Sequence, residues 1–160
     1  MEILLELGYN KPAEILRLFS EYIDDILKKG LEVKNCLQSQ HYDEEAEQLQ
    51  EKYGEPYGRL YLASYSLAPA GCVALRKLDD AYCEMKRLYV RPMYRGLHIG
   101  KMLMEKVIAD AKQIGYRHIR LDTFPFMMEA IQMYRRYGFY EIEPYNDNPA
   151  SSAVFMQMDI

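Results

Sequence analysis

Residues 91–111 read RPMYRGLHIGKMLMEKVIADA, a short loop with two arginines and two glycines that runs directly into a long amphipathic segment. Glycine is conformationally costly, so two in so short a loop imply a sharp turn or a close approach of the backbone to something else. Behind them Met102, Leu103, Val107, Ile108, Ala111 and Ile114 recur at helical spacing, and Gly115 marks the stop. A helix beginning there presents unpaired N–H groups and the positive end of its dipole, which together suit an anion. The stretch therefore predicts a strand, a glycine turn and a helix N-terminus gathered around a phosphate-bearing ligand.

Working outward, ILLEL (3–7) reads as a strand, and Asn10 with Pro12 opens a helix. Its buried stripe is Ile15, Leu16, Phe19, Tyr22, Ile23, Ile26 and Leu27, and Gly30 closes it. A second, acidic helix is expected over about 42–53. RLYLASYS (59–66) and GCVALRKL (71–78) form a hairpin about the turn Ala68-Pro69-Ala70-Gly71. AYCEMKRLYV (81–90) follows across Asp79-Asp80. After the glycine loop and its helix come a strand, HIRLDTF (118–124), and a helix, PFMMEAIQMYRRYG (125–138). Two closing strands lie around Asn146–Pro149. The order β-αα-βββ-α-β-α-ββ predicts a single α/β (α+β) domain over residues 1–160, with about seven strands and about four helices.

Composition bounds the function. A chain of 160 residues, 49% hydrophobic and 28% charged, reads as an ordinary globular domain. A net charge of −4 gives no footprint for nucleic acid or an anionic membrane. No apolar run approaches the ~20 residues of a membrane span, and the N-terminus lacks a secretory pattern. Cys36, Cys72, Cys83, His41, His98 and His118 are scattered, so neither a disulfide framework nor a metal site is expected. The expected setting is cytoplasmic.

Three ligands compete for residues 95–101. A Walker A loop needs G-x-x-x-x-G-K-[ST], but only three residues separate Gly96 from Gly100, and Met102 follows Lys101. A Rossmann fingerprint lacks its third glycine and its place after a first strand. The third candidate is the pyrophosphate of coenzyme A. Val90-Arg91-Pro92-x-Tyr94-Arg95-Gly96-Leu97-His98-Ile99-Gly100-Lys101 resembles motif A, [QR]-x-x-G-x-[GA], of the GNAT superfamily of N-acetyltransferases. Arg95 and Gly100 match, while His98 stands where the middle glycine would be. MYRRYGFYEI (133–142) is similar to the family's second hallmark, and the order of elements agrees along nearly the whole chain.

The resemblance implies a mixed, mostly antiparallel sheet and transfer of an acetyl group from acetyl-CoA to an amine, with no metal. It implies that Leu88, Tyr89 and Val90 line the pantetheine arm, with a backbone N–H of Leu88 or Val90 on the thioester carbonyl. Arg95, Gly96, Leu97, His98, Ile99, Gly100 and Lys101 would take the phosphates. Glu84 matches the strand glutamate that serves several members as general base, directly or through water. Its alternative is a cross-strand ion pair. Tyr134, four residues before Gly138-Phe139, matches the general acid; its alternative is a core tyrosine. Many relatives carry an asparagine where this chain has Met127.

The first helices and the last hairpin would wall the acceptor. There Glu14, Glu21, Asp24, Asp25, Asp43, Glu44, Glu45 and Asp147 offer an acidic rim that could attract a cationic amine, or merely solvated faces. The expected partner is thus a small-molecule or peptide amine; members of the family are often dimers, so a homodimer is possible, and the sequence leaves the oligomeric state open. A non-catalytic acyl-CoA-binding module is the alternative reading.

Overall fold

The computed structural model describes residues 2–29, 48–146 and 152–160. Seven strands form one mixed sheet: β1 (Ile3–Leu7), β2 (Arg59–Tyr65), β3 (Ala68–Lys77), β4 (Tyr82–Val90), β5 (His118–Thr123), β6 (Tyr140–Ile142) and β7 (Val154–Asp159). Their order across the sheet is β1-β2-β3-β4-β5-β7-β6. Only β4 and β5 run parallel; every other neighbouring pair is antiparallel. Among the described residues the helices are α1 (Pro12–Leu27), α2 (Leu49–Tyr53), α3 (Ile99–Ile114) and α4 (Met128–Tyr137). None of those described is long and apolar enough to cross a membrane.

Each face of the sheet carries its own core. Ile15, Leu18 and Phe19 of α1 pack with Tyr53, Leu60, Leu62, Cys72, Ala74 and Tyr89 on one side. Leu103, Met104, Val107 and Ala111 of α3 pack on the other against Val73, Leu75, Cys83, Met85, Ile119 and Leu121, joined by Tyr134 of α4. Burying a side chain of this size contributes about 1.5–3 kcal/mol. The stripes expected from the sequence differ at their edges. Leu18 and Met104 are buried, whereas Leu27 is exposed and Leu16, Met102 and Ile114 are half-buried.

The first hairpin turns earlier than expected. Ser66 and Leu67 form its two-residue turn, both with positive φ (48° and 75°), which suits the twist of the flanking strands. Pro69 lies inside β3 beside a register shift at Ala63/Ser64, where a missing N–H is tolerated. Gly71 serves close packing: a Cβ there would lie 2.6 Å from the Tyr89 carbonyl oxygen. Pro125 does not open α4; it sits in a turn closed by the Met127 N–H on the Phe124 carbonyl at 2.9 Å, and the helix starts at Met128. Of the acidic second helix, Leu49–Tyr53 is described. The remainder, with Gly30, Cys36, His41, Asp43, Glu44, Glu45, Asp147 and Asn148, lies outside the described residues.

Two features of β4 position the site. Between Lys86 and Tyr89 it carries a bulge, with Arg87 at φ 59°, so Arg87 and Leu88 oppose one residue of β3. The extra residue reverses the side-chain alternation, sending Glu84 and Tyr89 to the α1 face. Meanwhile β4 pairs with β5 only at Tyr82–His118, Cys83–Ile119 and Glu84–Arg120. Past Glu84 the two strands splay apart.

Candidate active site

The glycine loop turns as the sequence requires. Gly96 has φ 87° and His98 has φ 66°, ψ 18°, the left-handed region, so the chain reverses directly ahead of α3. The first intrahelical bond runs from the Met102 N–H to the His98 carbonyl at 3.0 Å, and no side chain caps the helix. The N–H groups of Ile99, Gly100 and Lys101 therefore have no acceptor within α3 and point outward as an anion-binding end. A Cβ on Gly100 would meet nothing nearer than Val90 Cγ2, at 3.7 Å. Protein packing does not require glycine there; an approaching ligand would.

Below this end runs a cleft of about 910 Å³, lined by the splayed part of β4 (Leu88, Tyr89, Val90), by Tyr94–Gly96 and His98–Lys101, and by Met127–Ala130, Met133, Tyr134 and Tyr137 of the α4 segment. Tyr22, Asp25 and Lys29 close it from the α1 side. Of the residues expected to hold coenzyme, all but Leu97, itself 37% exposed, line this cleft. Arg95 spans its mouth. Its Nε donates to the Val90 carbonyl at 2.9 Å, and its terminal nitrogen lies 3.9 Å from Asp25. Lys101 is exposed at the rim.

Tyr134 reaches the cleft from the middle of α4. It is only 7% exposed, and its hydroxyl has no hydrogen-bond partner among the described residues. Burial pushes its phenol well above the ordinary range, and Tyr22 and Asp122 add to the effect. It therefore carries its proton through neutral pH. Phe139 steadies the ring at 5.7 Å between centroids.

Glu84 stands apart from these groups. It is 2% exposed, it is absent from the cleft lining, and both carboxylate oxygens are engaged. Oε1 accepts from Arg76 Nε at 2.7 Å and Oε2 from the Tyr145 hydroxyl at 2.6 Å. Burial alone would raise its pKa. The charges of Lys86 and Arg76, with the hydrogen bonds from Tyr145 and Arg76, outweigh it and hold the carboxyl below its usual value. Arg76 is its direct cross-strand partner, so the ion-pair alternative describes its environment. The expected acidic rim is also partly spent. Arg91 holds Glu21 through two bonds of 2.9 and 2.8 Å, and Asp25 faces Arg95.

A seven-stranded sheet splayed at one parallel pair, with a glycine turn and bare helix N-terminus above the opening, agrees with a known architecture. The profile of the acetyltransferase (GNAT) family matches residues 22–139. The chain belongs to the GNAT acetyltransferase family. It is 37% identical to an uncharacterized N-acetyltransferase of Schizosaccharomyces pombe over 123 residues, 76% of either chain. The fold of this GNAT protein superposes on an acetyltransferase from Streptococcus agalactiae with a TM-score of 0.81, at 19% identity over 99% of this chain and 98% of that one. A GNAT acetyltransferase from Elizabethkingia anophelis with acetyl-CoA bound is 26% identical, with a TM-score of 0.55 over 64% of this chain and 76% of that one. The chain is thus an acyltransferase, and acetyl-CoA is the co-substrate its relatives support.

The sequence reading missed Tyr22 at the cleft wall, and it missed Arg76 and Arg120 beside Glu84 and Asp122 further along β5. The signal for the last three was present. The three-residue loop Asp79–Ala81 sets residue 76 opposite 84, and strict alternation along 118–123 puts Arg120 and Asp122 on one face.

Proposed function

We propose that this protein moves the acetyl group of acetyl-CoA onto a primary amine of a small molecule or peptide by direct attack, as a single domain over residues 1–160. The observation that carries the proposal is the cleft itself, with free helix N–H groups at one end and the unpartnered Tyr134 hydroxyl within. The amides of 96–101 bind the pyrophosphate, with Arg95 and Lys101 adding charge. Leu88, Tyr89 and Val90 hold the pantetheine arm, and a backbone N–H on the open edge of β4 polarises the carbonyl as negative charge develops. Met127 gives the arm an apolar contact instead of an amide. The nitrogen forms its bond to the carbonyl carbon, the carbon–sulfur bond breaks, Tyr134 gives its proton to the leaving sulfur, and the proton shed by the acylated nitrogen passes to solvent, from which the phenol is restored.

An alkylammonium, with a reference pKa of about 10.4, must lose a proton before it attacks. Glu84 is the candidate the family resemblance supplies, yet a carboxylate held low and doubly bonded is a poor sink. We infer that its main work is to organise Arg76 and Tyr145 and that the amine arrives already neutral. This same observation keeps alive a second reading, a coenzyme-binding module without turnover.

The test is thiol release from acetyl-CoA against amino acids, polyamines, aminoglycosides and peptides, alongside thermal unfolding with the coenzyme. Saturation at 100 times Kd stabilises by about 2.7 kcal/mol. Coenzyme-dependent stabilisation with amine-dependent thiol release is expected. Stabilisation without release favours the module, and neither effect overturns the assignment.

A further inference from the structure

The last row of residues shared by β4 and β5 runs across three strands. Arg76 on β3, Glu84 on β4 and Arg120 on β5 are successive cross-strand partners, so all three project on the α1 face. Both guanidinium groups are anchored by Nε, Arg76 to Glu84 at 2.7 Å and Arg120 to Gln157 Oε1 at 2.8 Å. The Arg120 guanidinium carbon also lies 4.1 Å from the Tyr82 ring centroid and 5.2 Å from that of Tyr145. The terminal nitrogens of both arginines make no hydrogen bond to a described residue. Two guanidinium forks are thus held in place with their recognition ends unused, around one carboxylate already satisfied by its neighbours.

Around this row Arg76, Lys86 and Arg120 stand with Glu84, Asp122 and Asp159; Asp159 is taken up by His118, Gln157 and Tyr140, and Asp122 accepts from Asn146 Nδ2 at 3.0 Å. Asp122 lies two residues beyond Arg120 on the same strand face, about 6.6 Å away, on the splayed side of the row and close enough to Tyr134 to influence its proton. Of the acidic residues that could have drawn a polycation, Glu21 and Asp25 are instead held by Arg91 and Arg95 at the cleft.

We propose that this row is the anion subsite of the acceptor. The amine carries a carboxylate or phosphate held by the terminal nitrogens of Arg120 and Arg76, and its nitrogen extends past Asp122 to the root of the splay. The inference rests on the acetyltransferase reading and narrows its substrate class to amino-acid-like or phosphorylated amines.

The experiment is steady-state acetylation by the full chain with acetyl-CoA. Amino acids are compared with their amides and decarboxylated amines, and phosphoethanolamine with ethanolamine. The anionic member of each set should lead in kcat/KM by at least about tenfold, and the better series tells carboxylate from phosphate. Arg120→Met should raise the KM of the anionic acceptor by about tenfold with little change in kcat, leaving acetyl-CoA affinity intact. Arg76→Met repeats the test if that variant fails to fold. Amides and decarboxylated amines accepted as well as their anionic partners overturn this inference alone. Absence of thiol release with every amine overturns the transferase reading and this inference with it.

Discussion

The two sides of the splay are built by opposite means. On the proposed coenzyme side the groups offered are backbone amides, fixed by a turn of six residues and the start of one helix. On the proposed acceptor side they are side chains brought from β3, β4, β5, β7 and the segment after β6, each tied to another by a charged hydrogen bond. A site made of main chain depends on local dihedral angles and tolerates exchange of most of its side chains. One made of side chains depends on sheet register, and each substitution disturbs several partners. Tyr134 belongs to the open side, since its hydroxyl faces the cleft and has no described partner. Glu84 belongs to the closed side.

The largest effect expected to sharpen that division is on Tyr134. Replacing it with phenylalanine removes one oxygen that no described residue bonds, so the fold and coenzyme affinity should be unchanged. Loss of a positioned proton donor should cut kcat by about 10²-fold. Because burial, with Tyr22 and Asp122, raises its phenol, wild-type turnover should hold on the alkaline side beyond the ordinary tyrosine range near about 10. An unchanged kcat in the variant removes Tyr134 from the chemistry.

The contrast also explains what could be read in advance. Strands, helices and their order follow from periodicity and from stops such as Gly115 and Gly138, both of which are left-handed C-caps in the fold. The glycine turn and the bare helix end were legible because Arg95 to Lys101 are contiguous. The hairpin turn misled because proline and glycine usually mark turns. Here Pro69 serves a bulge and Gly71 a close contact, while Ser66-Leu67 turns without a glycine. The Arg76–Glu84–Arg120 row escaped because its members are far apart in the chain and meet only through pairing of three strands.

The next effect tests the closed side. The folded pKa of Glu84 is lowered, so its contribution to stability is present above the unfolded carboxyl range, near about 4.3, and is lost as pH falls through the lowered value. Glu84→Gln should therefore cost about 2 kcal/mol at neutral pH, with the gap to wild type closing in acid. Chemical denaturation across pH measures this, and a gap that persists at low pH defeats the ion-pair account. Kinetics adds a second reading. If Glu84 organises its neighbours, the acidic limb of kcat/KM survives the substitution; if the limb disappears, Glu84 is the base after all.

The smallest change tests the open side, and its value lies in two opposite signs. Gly100 occupies the first turn of α3, and a Cβ there would find its nearest neighbour at 3.7 Å. Alanine should suit the helix better than glycine by up to about 1 kcal/mol, so Gly100→Ala should unfold at slightly higher denaturant. The same methyl group projects into the space proposed for the diphosphate, and coenzyme affinity should fall about tenfold, or about 1.4 kcal/mol. Gly71→Ala provides the contrast, because its Cβ would strike a carbonyl oxygen at 2.6 Å and should weaken the sheet before any ligand is added. If Gly100→Ala instead destabilises the free protein, its glycine serves the fold as Gly71 does. If stability rises while affinity is unchanged, no diphosphate approaches α3 at that turn, and the coenzyme must be held elsewhere along the cleft.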